Sequence, residues 1–336
     1  MSPVKNKVLR FSAAIILIIA GFQSGEAQIF SVLGGQRVGT SGASFLKIGV
    51  GARAEGMAGA FVAMADDPSC LYWNPAGAAQ LENNAVMFSH IEWPAEIKHE
   101  YIGYVHRIGK NSALGFSAIS LHMDDMEETT EYFPGGTGNY FTFGDFSAAL
   151  TWSMKMTVNF SFGITGRYVR EDLAGITMDA AMLDLGTYYK TGFRDMTFSV
   201  VLANFGPDMR PDGTYMQDIG NGGEVESRYQ AFPPPTVFRL GSAVSLYRSQ
   251  LSRWLVSLQL NHPVDNAENL AIGSELQLLK FLYLRGGLKI NYDAEEFTLG
   301  GGLEIPLKSY TFMLDYSYTD FGILGEAQRF SLSFWL

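Results

Sequence analysis

The sequence predicts an all-β protein, a transmembrane antiparallel β-barrel of about 14 strands with an N-terminal hatch segment that plugs it. Three observations lead to this fold class. Apolar and polar residues alternate from about residue 84 to the end, aromatic residues and glycine are frequent, and long connections alternate with short ones. Beyond the first 27 residues no apolar run approaches the roughly 20 residues of a membrane-spanning helix. Strands are therefore expected to cross the membrane.

The composition excludes several classes of protein. Of the 336 residues, 34 are acidic and 24 are basic, which gives a formal net charge of -10. This balance argues against nucleic acid as a partner, because phosphate backbones bind clustered Lys and Arg. Aromatic residues make up 13% of the chain. So much apolar surface excludes a disordered protein.

Residues 1–27 are interpreted as a signal peptide that is cleaved. A basic start is followed by an apolar stretch over residues 11–22, and Gly25 and Ala27 fit the small positions of a cleavage site. Cleavage after Ala27 would leave Gln28 as the first residue of the mature protein. An uncleaved membrane anchor is the alternative, but the apolar stretch is short for a span.

The barrel is predicted over residues 84–336. In one strand Phe312, Leu314 and Tyr316 alternate with Met313 and Asp315, so large apolar side chains share one face. The opposite faces are mostly Gly, Ser, Thr and Asn, a pattern that favours lipid outside and a polar lumen over the alternative of a soluble sandwich with an apolar core. Fourteen such segments begin near Ala85, Glu100, Ser112, Tyr140, Met156, Ile176, Asp195, Thr236, Leu251, Asn269, Phe281, Glu295, Ser309 and Ala327.

The connections predict which end of the barrel faces outward. Met123 to Asn139 and Phe205 to Pro235 are long, whereas alternate turns such as Lys110-Asn111 are tight. Long loops lie outside the cell in barrels of the bacterial outer membrane. That location makes outer-membrane lipid and lipopolysaccharide the expected surroundings. The predicted outer loops carry the acidic residues Asp124, Asp125, Glu127, Glu128, Glu131, Asp265, Glu268, Asp293, Glu295, Glu296, Asp320 and Glu326. The first five are interpreted as a solvated loop, with divalent-cation binding as the alternative.

The chain ends in a strand in which Phe330, Leu332, Phe334 and Leu336 alternate with other residues. A closed barrel must pair its last strand with its first. Such an ending resembles the signal that the barrel-assembly machinery recognises, which makes that machinery an expected partner. The usual final aromatic residue is replaced here by Leu336.

Residues 28–83 are predicted to form the hatch, because glycines and small residues replace the strand pattern. The runs Phe45 to Ala63 and Ala65 to Gly77, which include Asp66-Asp67-Pro68-Ser69 and Asn74-Pro75-Ala76-Gly77, resemble the PorV/PorQ outer-membrane family. That family is related to the FadL-type long-chain fatty acid channels. The resemblance implies a barrel of fourteen strands with an N-terminal hatch.

For function, the resemblance leaves two hypotheses. The first is a docking or scaffold barrel that supports protein export with type IX-like secretion proteins, which the long loops favour. The second is a FadL-like channel for hydrophobic small molecules such as long-chain fatty acids. By resemblance to the FadL-type hatch motif, the candidate binding and gating residues are Asp66, Asp67, Asn74, Pro75 and Gly77. A simple turn from the hatch into the first strand is the alternative for Asn74-Pro75.

Inward-facing charges are a second candidate site. The predicted lumen-facing cations are Arg167, Arg239, Arg253, Arg285 and Lys289, and their available partners are Asp145, Asp184, Glu275, Glu304 and Asp315. Two interpretations stay open. The charges hold the hatch through ion pairs, or they line a polar conduit that binds an anionic head group such as a carboxylate.

The sequence predicts a non-enzymatic protein with no catalytic residues, no metal site and no cofactor. His99 and His106 are seven residues apart on one strand and so point to opposite faces, which disfavours a shared metal. Ser120 and His122 share a face, but such a pair alone does not indicate a hydrolase. Gly49 and Gly51 lack the βαβ context of a dinucleotide-binding loop.

Overall fold

A computed structural model describes residues 38–218, 220, 224–308 and 310–336 of the protein. The signal peptide predicted over residues 1–27 and the first ten residues of the predicted hatch lie outside the described residues. None of the described helices is long and apolar enough to cross a membrane.

Fourteen antiparallel strands form a closed barrel, as the alternating pattern predicts. Strand β1 closes it, because Ala85 pairs with Val105 of β2 on one side and with Trp335 of β18 on the other. The barrel strands are β1 (Ala85–Trp93), β2 (Ile97–Ile108), β3 (Ser112–His122), β6 (Phe143–Lys155), β7 (Phe160–Leu173), β8 (Ile176–Lys190), β9 (Thr197–Phe205), β12 (Val237–Arg248), β13 (Ser252–Pro263), β14 (Asn269–Leu278), β15 (Leu282–Ile290), β16 (Phe297–Pro306), β17 (Thr311–Asp320) and β18 (Glu326–Trp335).

The two faces of the barrel wall have the predicted orientation. On β17, Leu314 is 45% exposed on the outer face, whereas the neighbouring Asp315 is 2% exposed inside the barrel. Because successive strand side chains alternate between faces, the apolar residues form an outer belt suited to lipid. A closed antiparallel barrel with such a belt is the architecture of a bacterial outer-membrane protein.

Two connections at one end are much longer than the others and contain hairpins of their own. The connection over residues 123–142 holds β4 (Met126–Glu127) and β5 (Tyr140–Phe141), and the one over 206–236 holds β10 (Thr214–Asp218) and β11 (Glu224–Arg228). Connections at the opposite end are only three to six residues long. We call the long-loop end the outer end, since long loops face the cell exterior in such barrels.

Three predicted strand starts are wrong by three or four residues, and one of them, Glu100, lies inside β2, which begins at Ile97. Tyr140 pairs with Glu127 of the loop hairpin, and the barrel strand begins at Phe143. The segment predicted to start a strand at Met156 forms a turn instead, so Val158 is 95% exposed there rather than placed on a strand face. The turn forms because Thr157 Oγ1 accepts hydrogen bonds from the backbone N–H groups of Asn159 and Phe160.

Most residues from 41 to 81 are buried inside the barrel and form the hatch. Their side chains supply most of the apolar core, with Leu46, Met57, Phe61 and Leu71 fully buried. The hatch contains the helices α1 (Ala52–Glu55) and α2 (Cys70–Trp73) and the 3-10 turns Ser44–Lys47 and Pro75–Gln80. Two further 3-10 turns lie in loops, at Pro94–Glu96 and Gly322–Leu324.

Glycines of the wall let the hatch backbone approach closely. A Cβ atom added at Gly273 would lie 2.5 Å from the carbonyl oxygen of Met57, and one at Gly287 would lie 2.6 Å from Cβ of Ala58. Both distances are below van der Waals contact, so any larger residue would displace the hatch. The small residues of the hatch and the glycines of the wall therefore fit each other.

Candidate functional site

Two cavities within the described part of the barrel are lined in part by the hatch. One, of about 550 Å³, lies towards the outer end and is lined in part by Phe45, Leu46 and Trp73 of the hatch. We call it the outer cavity. The other, of about 510 Å³, lies at the short-turn end and is lined in part by Arg53 and Gln80. We call it the inner cavity.

The outer cavity has aromatic walls. Tyr72 and Trp73 project into it from helix α2, and each is fixed by a hydrogen bond: Tyr72 Oη donates to Leu46 O at 2.9 Å, and Trp73 Nε1 donates to Val50 O at 2.8 Å. The two rings meet edge to face, with centroids 5.0 Å apart. The volume of the outer cavity falls within the roughly 300 to 1,000 Å³ that is typical of small-molecule sites.

The start of α2 is fixed by one of the predicted site residues. Asp67 is buried, and its Oδ1 accepts hydrogen bonds from Ser69 N (2.9 Å) and Ser69 Oγ (2.6 Å). Asp67 thus shapes the turn that precedes α2. Its neighbour Asp66 is more exposed and pairs with Arg53 Nη1 at 2.6 Å.

Arg53, which was not among the predicted site residues, links the hatch to the wall. Its Nε and Nη2 donate to the two carboxylate oxygens of Glu275 on β14, at 2.9 and 3.1 Å. Glu275 also accepts from Arg285 Nε at 2.7 Å, and Arg285 Nη1 lies 2.6 Å from Asp315 Oδ1. The predicted lumen residues Arg285 and Asp315 therefore belong to one buried ion-pair chain that ends on the hatch.

A second buried pair forms at Glu55 of α1. Its Oε2 lies 3.2 Å from Lys289 Nζ on β15 and 3.6 Å from Arg329 Nη2 on β18. Burial alone would raise the pKa of Glu55, but the surrounding cations, Lys289 and Arg329 foremost, together lower it below its ordinary value. Lys289 also pairs with Glu295, a residue predicted to lie on an outer loop.

The remaining predicted cations have separate surroundings. Arg167 pairs with Asp184 at 2.8 Å, and Arg253 donates to Ser245 Oγ at 3.0 Å beside the inner cavity. Arg239 lines the outer cavity, with its guanidinium carbon 5.6 and 5.2 Å from the ring centres of Tyr72 and Trp73. No carboxylate among the described residues forms an ion pair with Arg239. The guanidinium is held instead by the faces of two aromatic rings.

Asn74 and Pro75 join the hatch to strands β7 and β8. The buried amide of Asn74 donates through Nδ2 to Val62 O (2.8 Å) and to Thr187 O (3.0 Å), and its Oδ1 accepts from Ala76 N. The wall makes room through Gly186, where an added Cβ would lie 2.2 Å from Asn74 Oδ1. Gly77 packs closely as well, since an added Cβ would lie 2.2 Å from Ala65 O.

The candidate binding residues are thus divided among several places. Asp66 and Asp67 line the inner cavity, whereas Asn74, Pro75 and Gly77 anchor the hatch and line neither cavity. Arg239 and Lys289 face the outer cavity. The sequence does contain a signal for Arg53 and Glu55. They are two charged residues within a run of small residues, and that run was predicted to fold inside the lumen.

The histidines do not converge. His99 is fully buried inside the barrel, whereas His106 lies on the outer face. Within the described ranges, no three His, Cys, Asp or Glu side chains are grouped so that they could hold a metal ion.

Comparisons with known proteins agree with this fold. Residues 26–204 match the model of the uncharacterised protein family UPF0164. No curated protein sequence matches the chain. The matching family carries a name other than PorV/PorQ, so that part of the resemblance stays a prediction.

Several solved structures share the barrel fold of this chain. The CymD monoaromatic hydrocarbon channel has 14% identity and a TM-score of 0.55, with 85% of this chain and 97% of that chain covered. The Ralstonia pickettii toluene transporter TbuX has 12% identity and a TM-score of 0.55, and a Pseudomonas aeruginosa FadL homologue has 12% and 0.53; both have the same coverage. These likenesses confirm the predicted relation to FadL-type channels at the level of the fold. By its sequence, the chain belongs to the protein family UPF0164.

Proposed function

We propose that this protein is an outer-membrane channel that binds hydrophobic small molecules in its outer cavity and passes them across the membrane. The observation that carries the proposal is the outer cavity itself, about 550 Å³ in volume and walled by Trp73, Trp93, Phe143 and Phe321. Aromatic walls with a few polar groups are typical of small-molecule sites. The similar solved structures named as a monoaromatic hydrocarbon channel and a toluene transporter support the same proposal.

Transport requires a route past the hatch. Asn74, Arg53 and Glu55 hold the hatch to three separate parts of the wall, through a hydrogen bond to Thr187 and ion pairs to Glu275 and Lys289. A molecule in the outer cavity contacts Tyr72 and Trp73, which lie next to Asn74 in the chain. We therefore propose that ligand binding at α2 loosens the Asn74 anchor and that the hatch shifts to open a path.

The export scaffold, which was the first hypothesis from the sequence, has less support. Its basis was the length of the outer loops, and these loops contain two short hairpins. Neither hairpin has a feature that indicates a secretion protein as partner, whereas an aromatic cavity can bind the hydrophobic molecules that a channel carries. Contacts with lipopolysaccharide and with the barrel-assembly machinery stay predictions.

Filling the cavity tests the proposal. Val237 lines the outer cavity from β12, and Leu240 lies on the lipid-facing side of the same strand. In cells that depend on this protein for uptake of toluene or a longer alkyl compound, Val237→Trp is expected to reduce uptake by about tenfold, because a large ring occupies the space a ligand needs. Leu240→Trp is the matched control and should leave uptake unchanged. Equal uptake by both variants, with both barrels folded, would contradict the proposal.

A further inference from the structure

Two acidic side chains lie next to each other on the wall of the outer cavity. Asp145 of β6 and Glu171 of β7 are cross-strand partners in register, and both line the cavity. Directly opposed side chains on neighbouring strands have Cβ atoms about 4.5 to 5.5 Å apart. Two carboxylates at that spacing repel each other unless a positive group lies between them.

The residues that the structure describes supply no such positive group. Asp145 is 4% exposed, its Oδ1 is fully buried, and its carboxylate has no hydrogen bond or ion pair with any of them. Glu171 accepts one hydrogen bond, from Ala43 N at 2.9 Å, and forms no ion pair within this part of the chain. A buried carboxylate without a partner is unfavourable, because it loses its hydration and gains nothing in return.

The rest of the outer cavity does not neutralise the pair. Its lining contains six carboxylates, counting Asp145 and Glu171, but only three basic side chains. Two of these are already engaged, since Lys47 pairs with Asp265 and Lys289 pairs with Glu55 and Glu295. The third, Arg239, is held over two aromatic rings. The cavity therefore has an excess of negative charge, which disfavours a ligand with a carboxylate.

We infer that the outer cavity takes a hydrophobic molecule that carries a protonated amine, with the ammonium group between Asp145 and Glu171. This inference rests on the proposed function and names the class of ligand. Leu121 and Phe143, which lie beside Asp145, provide apolar surface for the hydrocarbon part. An ammonium group donates three hydrogen bonds, which suits the free oxygens of two carboxylates. A calcium ion is less suitable, because it needs six to eight oxygen ligands.

Three ligands of equal chain length separate the contributions of charge and of apolar surface. Dodecylamine, dodecanol and dodecanoic acid are titrated at neutral pH into the full-length protein in a non-ionic detergent, and binding is followed by the fluorescence of the tryptophans that line the outer cavity. Dodecylamine is expected to bind at least about tenfold more tightly than dodecanol, as for one buried charge-assisted hydrogen bond. Dodecanoic acid is expected to bind more weakly than dodecanol.

Variants locate the preference. Asp145→Asn keeps the shape of the side chain and should remove most of the preference for the amine, while the affinity for dodecanol stays the same and reports an intact cavity. Glu171→Gln should reduce the preference as well. Asp293→Asn is the matched control, because Asp293 also lines the cavity but accepts a hydrogen bond from Asn266 in a loop. This control should keep the full preference.

The outcomes are distinct. Equal affinity of the wild-type protein for amine and alcohol, as expected if Asp145 and Glu171 share a proton, overturns the inference and leaves the proposed function standing. A preference that survives in Asp145→Asn also overturns it. Failure of all three ligands to bind contradicts the proposed function itself.

Discussion

Arg53 of the hatch binds Glu275 of strand β14 through two parallel hydrogen bonds, from Nε at 2.9 Å and from Nη2 at 3.1 Å. This fork is the strongest kind of contact between a guanidinium and a carboxylate. The side chain of Glu275 is buried and that of Arg53 is only 13% exposed, so removing Arg53 leaves the buried carboxylate of Glu275 with Arg285 as its remaining partner. The hatch is thus attached to the wall by a contact that involves no apolar surface.

Arg53→Ala is therefore expected to destabilise the protein by roughly 3 to 5 kcal/mol, near the lower value because Arg285 stays beside Glu275. The free energy of unfolding, measured by denaturant titration in lipid vesicles, checks this. Replacing both residues, as Arg53→Met with Glu275→Gln, should cost less than Arg53→Ala alone, since the charge of Glu275 is removed together with that of Arg53 and Arg285 keeps its pair with Asp315. A double variant less stable than the single one would contradict the account of this pair.

The Glu55 pair predicts a dependence on pH. Lys289 and Arg329 lower the pKa of Glu55 from its ordinary value of 4.5, although burial opposes them. Because the pKa is lower in the folded state, the contribution of Glu55 to stability is present above about pH 4.5 and is lost as the pH falls further. The midpoint of thermal unfolding, followed by heat-modifiable gel mobility, should show this loss. Glu55→Gln should be less stable at neutral pH and should depend less on pH in the acidic range. Identical pH profiles for the two proteins would exclude this role.

Lipid-facing and cavity-facing positions of β17 should respond differently to a charge. Leu314→Arg places a guanidinium on the lipid face near the middle of the strand and should cost about 2 to 4 kcal/mol. Thr311→Arg faces the inner cavity, where there is space for the longer side chain, and should cost less. The free energies of unfolding of the two variants are compared directly. Ser161, which also faces inward, is a poorer control, because its Oγ accepts a hydrogen bond from Gln80 of the hatch.

The Asn74 anchor should control uptake more than barrel stability. Asn74→Ala leaves the carbonyl groups of Val62 and Thr187 without their donor, at a cost of about 1 to 3 kcal/mol. The strand ladder does not involve this side chain, so the barrel should stay folded while the hatch becomes more sensitive to protease and uptake of hydrophobic compounds changes. Asn83→Ala is the matched control, since Asn83 is exposed. Unchanged uptake and protease resistance in Asn74→Ala would leave Asn74-Pro75 as an ordinary turn.

The barrel could be predicted from the sequence because the membrane imposes a simple rule on every strand. Leu314 must face lipid and Asp315 must face the lumen, so the alternation of residues is enough to place both. This rule applies only to residues in contact with lipid. Tyr140 and Val158 lie beyond the barrel strands, and their positions were therefore predicted wrongly. Their conformations depend on local hydrogen bonds at Glu127 and Thr157.

The interior could be predicted less well, because the hatch sequence has no regular alternation of apolar and polar residues. The sequence indicated that Arg285 and Lys289 face inward, but the pairing of Lys289 with Glu55 joins residues 234 positions apart. Asp145 was named as a partner for the lumen cations, yet none of the described cations pairs with it. Such pairings depend on how the hatch folds inside the wall, which the alternation of residues does not encode.

A reversible tether tests the central claim that molecules pass when the hatch shifts. A Cβ added at Gly241 of β12 would lie 3.4 Å from Cβ of Ala63 in the hatch, close to the roughly 3.5 to 4.5 Å of a disulfide. The variant Ala63→Cys with Gly241→Cys also carries Val62→Ala to make space and Cys70→Ala to remove the native thiol. The measurement is uptake of a hydrophobic compound by cells, before and after reduction of the disulfide. The account predicts uptake that is low when the disulfide is closed and is restored by the reductant; equal uptake in the two states would contradict it.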